Sequence, residues 1–144
     1  MAYVSTNYKT NPKAPLGQWV CTRSSAEGPF EAEPPKDKTH GPDFCGQCVS
    51  FVTTVCSTIP VGTGAWKQGA LVKGNAEIKA GTAIATFKDG VYRGHAAIYD
   101  SQDVTGITVY DQWVTAPANA IHKRVLRFGA HGNSNNGDNF YVVE

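Results

Sequence analysis

Along this chain the apolar residues keep no period until residue 48, repeat at helical spacing from Cys48 to Ile59, and alternate as in strands from residue 81 onward. The first stretch, Met1 to Pro42, is rich in Pro, Lys, Glu and turn residues, with EAEPPKDKTHGPD its most loop-like part, and predicts an irregular arm over 1–42 that wraps the rest. In the second, Val52, Val55 and Ile59 fall on one stripe with Cys48, Val49 and Cys56 lie beside it, and Pro60 closes the segment, which predicts a helix. The Gly-rich VGTGAWKQGALVKGN that follows predicts a helical turn or two between Trp66 and Val72. After it GTAIATF, the turn KDG, GHAAIYD, GITVYDQWV, KRVLRFG and NFYVVE read as strands, with the polar HGNSNNGDN as a loop before the last. One helix followed by several short strands predicts an α+β domain in which the helix packs on an antiparallel sheet, with no internal repeat.

Composition narrows this picture. A chain of 144 residues, 41% hydrophobic, can bury one sizeable core and is too short for two ordinary domains, so 1–144 is expected to be a single domain. The net charge of +1 is scattered, which points away from nucleic acid and from anionic lipid surfaces, toward a partner chosen by shape. The start MAYVSTNYKTNPKAPLGQWV lacks the basic and unbroken apolar parts of a secretory signal, and no run is long enough to span a bilayer. The expectation is a chain made as a soluble protein without a signal peptide. Four cysteines suffice for one bridge, and a bridge requires an oxidising destination. Export by a route that needs no cleaved signal reconciles the two.

Three of the four cysteines lie in DFCGQCVSFVTTVCSTIP. Cys45 and Cys48 have the spacing of a redox dithiol, but that motif belongs after a buried strand in a βαβ unit, and here the upstream residues are Pro-rich and charged. A structural zinc site needs four ligands, and there is no second pair at similar spacing, so no metal and no cofactor are expected. Cys56, on the apolar side of the helix, reads as a small buried hydrophobe, and Cys21 and Cys45 are the candidates for a bridge that ties down the arm. Cys48 is different. It stands in the first helical turn, where unpaired N–H groups and the helix dipole favour a thiolate.

A thiol nucleophile needs a base. His40 is in the arm, His122 follows APANAI, His131 is in the Gly/Asn loop, and His95 alone begins a clear strand on the sheet expected beneath the helix. If GHAAIYD and GITVYDQW form a hairpin centred on Asp103, Tyr99 faces Ile107, Ala97 faces Val109 and His95 faces Asp111. Directly opposed side chains have Cβ atoms about 5 Å apart, close enough for Asp111 to orient His95. A slip of one residue would offer Gln112 instead. Cys48, His95 and Asp111 thus make a candidate nucleophile, base and orienting acid in chain order.

GQCVSFV opening a helix, with GHAAIYD and VYDQW on successive strands, resembles the papain-like cell-wall hydrolases of the NlpC and CHAP type. More narrowly, Cys45 to Val114 resembles the type VI secretion amidase effectors, second family. The resemblance implies a papain-like fold and an antibacterial cysteine amidase, made in the cytoplasm and delivered by a type VI secretion apparatus into a competitor's periplasm. It implies as substrate the D-alanine to meso-diaminopimelate cross-link of Gram-negative peptidoglycan, and as partner a periplasmic immunity protein. In that chemistry His95 activates Cys48, and backbone N–H groups near Gln47 and Cys48 hold the oxyanion. The segment VGTGAW and Trp113 are candidates for the substrate groove, although Trp66 and Trp113 equally suit a core. Two other classes stand beside this one: a thiol-disulfide oxidoreductase using Cys45 and Cys48, and a non-catalytic wall-binding module.

Overall fold

The computed structural model describes residues 1–23, 27–35, 45–115 and 117–144. In chain order the elements are β1 (Trp19–Val20), β2 (Phe30–Glu31), α1 (Cys48–Val55), β3 (Gln68–Leu71), β4 (Ala83–Lys88), β5 (Val91–Gln102), β6 (Gly106–Trp113), β7 (Asn119–Arg127) and β8 (Phe140–Val143). Short 3-10 turns occupy Thr63–Ala65 and Gly137–Asn139. Strands β3 to β8 form one antiparallel sheet in the order β3-β8-β4-β5-β6-β7, while β1 and β2 pair with each other. This is the α+β arrangement the patterning predicts.

Helix α1 packs on one sheet face, where Val49, Phe51, Val52 and Val55 meet Ala83, Ala85, Ala96, Ile98 and Tyr110. Each large side chain buried there contributes on the order of 1.5–3 kcal/mol. The other face carries a second cluster of Ile84, Ala97, Tyr99, Ile107, Val109, Leu126 and Phe140, covered by Val72 with Ile78 and Phe128. Both faces are therefore buried, which explains the near-continuous apolar runs in β4 and β5.

All eight residues of α1 are buried, so it is not the half-exposed helix its stripe suggests. The arm covers its outer side. Thr54 Oγ1 donates to Cys21 O at 3.0 Å, Thr22 and Thr53 hydroxyls meet at 3.3 Å, and the Arg23 guanidinium donates to the carbonyls of Thr53, Cys56 and Ile59. A cation on the last carbonyls of a helix complements its dipole. The arm is also stitched to the sheet by a bridge between Val4 and Thr82 and by Ser5 N donating to Gly81 O at 2.8 Å. Residues 36–44, which include His40 and most of the loop-like segment of the arm, lie outside the described residues.

Three local expectations need correction. The helix ends at Val55, where Cys56 N still donates to Val52 O, rather than running to Pro60. Trp66 to Val72 is not helical. After the 3-10 turn the chain enters β3, whose start is held by Lys67 and Glu144 exchanging backbone hydrogen bonds at 2.6 and 2.8 Å. An edge position beside β8 overrides the weak local preference of a Gly-rich segment. The β5–β6 register also differs: Tyr99 pairs with Val109 and Ile98 with Tyr110, and a bulge separates them from Ser101 with Thr108 and Gln102 with Ile107.

The hairpin between β4 and β5 follows its sequence closely. Asp89 and Gly90 both take positive φ, 54° and 79°, as a two-residue turn matched to strand twist requires. That hairpin places the start of β5, with His95, over the N-terminal end of α1.

Candidate active site

Cys48 is the first residue of α1, and Gln47 caps it with extended backbone and a side-chain oxygen that accepts from Val49 N at 2.7 Å. The Gln47 carbonyl accepts from Ser50 N at 3.0 Å and from Gln112 Nε2 at 2.9 Å. Gln112 is fully buried and also grips Val20, accepting from its N–H and donating to its carbonyl, each at 2.9 Å. Gln112 therefore serves the arm and the helix start. It makes no bond to His95.

Cys21 and Cys45 form a disulfide, and Gly46 N donates to Val20 O at 2.9 Å, so the segment entering Cys48 is fastened to β1. Cys45 is thus bonded to Cys21 and not to Cys48. Glu31 lies beside these two sulfurs as a third potential metal donor, but both sulfurs are spent on each other. Cys48 and Cys56 are free thiols. Cys56 is buried in the core, and burial pushes its thiol up to about 12.

His95 is placed by an irregularity in β5. Between the pairs Ala85–Ala96 and Phe87–Tyr92, Thr86 on β4 stands against Arg93, Gly94 and His95. Thr86 Oγ1 bonds this bulge together, accepting from His95 N at 2.9 Å and donating to the Arg93 carbonyl. Gly94 has a φ of +113°, and a Cβ there would lie 2.4 Å from Thr86 Oγ1, so only glycine fits.

The His95 Nε2 lies 2.7 Å from Asp111 Oδ2. The expected register placed these residues directly opposite, whereas the observed one is offset by two, and an even offset leaves both on the same face. Their contact is diagonal across the ladder. That face is not the one beneath α1, contrary to the expectation of a base on the helix-packed side. Gln112 points to the helix side, so Asp111 alternates to the other, with Val109. Cys48 meets His95 where α1 and β5 begin together.

Arg124 of β7 completes the cluster. Its Nε donates to Asp111 Oδ2 at 2.9 Å and Oδ1 at 3.2 Å, its Nη2 lies 2.8 Å from Oδ2, and its Nη1 donates to Asn135 Oδ1 at 2.8 Å. The guanidinium also sits 4.4 Å from the Trp113 ring centroid. Burial of Asp111 raises its carboxyl, but hydrogen bonds and charge from His95 and then Arg124 outweigh that and hold it below its ordinary value. Asp111 is ionised and fully enclosed.

The thiol and imidazole shift in opposite directions. Burial pushes Cys48 up, yet the hydrogen bond and charge of His95, with hydrogen bonds from Tyr92 and the Ala96 N–H, bring it below its ordinary value. Burial pulls His95 down, while the Asp111 hydrogen bond and the bond and charge of Cys48 push it up to about 9. With Nε2 committed to Asp111, Nδ1 is the ring nitrogen left for the thiol. Each group thus favours the charged form of the other, thiolate beside imidazolium.

These groups sit at one end of a cavity of about 470 Å³ lined by Gln47, Cys48, Gly94, His95, Trp113 and Asn135, among others. Trp113 stands on its wall, fixed by its Nε1 donating to Pro117 O at 2.6 Å and by edge contact with His122 at 5.0 Å. Trp66 is instead buried in the helix-side core, and VGTGAW takes no part in the lining. His131 is exposed and His122 packs on Trp113, so neither approaches the thiol. Arg124 and Tyr92, whose hydroxyl is 3.4 Å from Cys48 Sγ, are the site residues that sequence reasoning missed. Arg124 is the one Lys or Arg of β7 on the face of Leu126, and that alternation was the available signal for it.

A thiol at the start of a helix packed against an antiparallel sheet, with a strand-borne imidazole and carboxylate beside it, is a papain-like arrangement. The family model for domesticated amidase effector 2 matches residues 3–143. This chain belongs to the domesticated amidase effector 2 family. It is 46% identical over 103 residues to "Domesticated amidase effector 2" of Ixodes scapularis, covering 68% of this chain and 70% of that protein. It is 37% identical over 114 residues to "Type VI secretion amidase effector 2 protein" of Salmonella typhi, covering 68% of this chain and 84% of that one. Among solved structures, "Type 6 secretion amidase effector 2 (Tae2)" aligns with a TM-score of 0.60 at 35% identity, over 68% of this chain and 80% of that chain. No helix among the described residues is long and apolar enough to cross a membrane.

Proposed function

We propose that this protein hydrolyses amide bonds in peptidoglycan peptides with Cys48 as nucleophile, His95 as acid and base, and Asp111 as the orienting carboxylate. The observation that carries this reading is the meeting of Cys48 and His95 at one cavity, with Asp111 bonded to the imidazole from behind. The Cys48 thiolate attacks the scissile carbonyl, and the backbone N–H of Cys48 at the helix start donates to the developing oxyanion. As the tetrahedral intermediate collapses, His95 gives its proton to the leaving amine. It then draws a proton from water, whose oxygen attacks the thioester; collapse releases the carboxylic acid and returns the Cys48 thiolate beside a protonated His95. Gln47 caps the helix with its side chain, so its part in the oxyanion site is to hold the Cys48 peptide in place.

The substrate we assign is the cross-link between D-alanine and meso-diaminopimelate, with Trp113 as the wall along which the peptide lies. For delivery we carry over what the Salmonella typhi relative's name states, type VI secretion; to this we add, as our own reading, action in a competitor's periplasm and a cognate immunity protein that occupies the cavity in the producer. The Cys21–Cys45 disulfide suits an oxidising destination. The 46% identity to the Ixodes scapularis protein favours a second reading of delivery alone, in which the same hydrolase reaches bacterial walls without that apparatus.

The test is digestion of purified Gram-negative sacculi with wild type, Cys48→Ala and His95→Ala, followed by mass spectrometry of the muropeptides. Loss of cross-linked dimers with wild type alone is the expected result, and the product masses identify the bond. Near-normal turnover by either variant, or unchanged muropeptides with folded wild type, refutes the assignment.

A further inference from the structure

The Cys48 sulfur has a neighbour that the mechanism above does not use. Tyr92 Oη lies 3.4 Å from Sγ, and Tyr92 stands opposite Phe87 on the helix-facing side of β5, at the far end of the bulge that carries His95. Its ring meets Trp66 edge-on at 5.1 Å, and the Trp66 indole N–H donates to Pro60 O at 2.8 Å. The phenol is therefore held by fixed contacts, and it packs against the core instead of lining the cavity.

We infer that the Tyr92 hydroxyl is a standing hydrogen-bond donor to the nucleophilic sulfur, approaching Cys48 from the core side while the substrate approaches from the cavity. The inference rests on Cys48 being the nucleophile. A thiolate has no proton to give, so in this contact the phenol donates. Burial and the adjacent thiolate charge both raise Tyr92, so its proton stays in place throughout. Together with the Ala96 N–H and His95, it gives the sulfur three donors where bulk water would otherwise solvate the charge. A sulfur stabilised in this way is ionised at lower pH and is intrinsically a slightly weaker nucleophile.

Those two effects have opposite signs, which separates a donor from a packing residue. The experiment measures iodoacetamide alkylation of Cys48, followed by peptide mass spectrometry, across pH for wild type, Tyr92→Phe and Tyr92→Leu. At neutral pH Tyr92→Phe is expected to alkylate about tenfold more slowly, as loss of one charge-assisted hydrogen bond implies. At strongly alkaline pH, where every form is a thiolate, it should match or exceed wild type. Superimposable profiles for wild type and Tyr92→Phe, with only Tyr92→Leu impaired, would show that the ring alone matters and overturn the proposal. A uniform slowing of Tyr92→Phe at all pH would also overturn it. Sacculus digestion, run in parallel, keeps the readings apart: the alkylation shift without hydrolysis leaves the donor standing and sinks the amidase, whereas hydrolysis without the shift does the reverse.

Discussion

Replacing Gln112 by Met removes one buried amide while keeping its length and volume, and the cost can be worked out bond by bond. Three bonds are lost, to Val20 N, Val20 O and Gln47 O. The two carbonyls each keep another partner, since Val20 O still accepts from Gly46 N and Gln47 O from Ser50 N. The Val20 N–H has Gln112 as its partner and is left buried without it, which costs about 1–3 kcal/mol, and the two carbonyl bonds add about 0.5–1.5 kcal/mol each. The total is about 2–6 kcal/mol. Urea unfolding followed by tryptophan fluorescence should show a midpoint lower by roughly 1–3 M with an unchanged slope, for a typical slope of about 2 kcal/mol/M. Hydrolysis should fall even under conditions where the variant remains folded, because the Gln47–Cys48 peptide loses its lateral anchor and the Cys48 N–H its fixed direction. An unchanged midpoint would refute the accounting, and full activity in the folded variant would refute the anchoring of the Cys48 peptide by Gln112.

Other expectations follow from the same contacts. Asp111→Asn should lower the hydrolysis rate by about 10²–10⁴-fold, through the wrong tautomer of His95 and an unbalanced Arg124, with wild-type rates as the refuting result. In Cys48→Ala, NMR titration of His95 should give a midpoint below about 9, because the thiolate is one of the groups that raise it; a midpoint unmoved would remove the ion pair. His95 is raised, so its contribution to stability is complete below its unfolded value near ~6.5 and is lost as pH rises through about 9. Asp111 is depressed, so its contribution is present above ~3.9 and is lost as pH falls through its lower folded value, and unfolding free energies measured across pH should show both declines. The double variant Cys21→Ser, Cys45→Ser should lose about 2–4 kcal/mol of stability, read by thermal unfolding, yet keep a reactive Cys48. Loss of that reactivity in a folded protein would return Cys45 to the chemistry.

Local periodicity by itself determined the elements here: a helix from Cys48, five strands after residue 81, and an Asp-Gly hairpin turn, because each depends on residues a few positions apart. It also determined that Cys48 opens a helix and that His95 and Asp111 lie on strands, since helix-start chemistry and strand alternation are likewise local. What a single chain reading could not supply were the places where a ladder skips a residue. The bulges at Asp100 and at Arg93 to His95 change register without changing composition, and only Gly94 marks either of them. The observed hairpin register lies two residues from the one alternation predicts, and the His95–Asp111 contact survives because an even offset preserves the face. The packing of β7 on β6 set Arg124 against Asp111; alternation separates Arg124 from Lys123 and Arg127, but which strand lies beside β6 is not local information. The arm crossing the helix, more than 20 residues away in sequence, turned a striped helix into a buried one and gave Gln112 its partners. Contacts between distant segments depend on which surfaces the whole chain brings together, and that was decided by the tertiary structure alone.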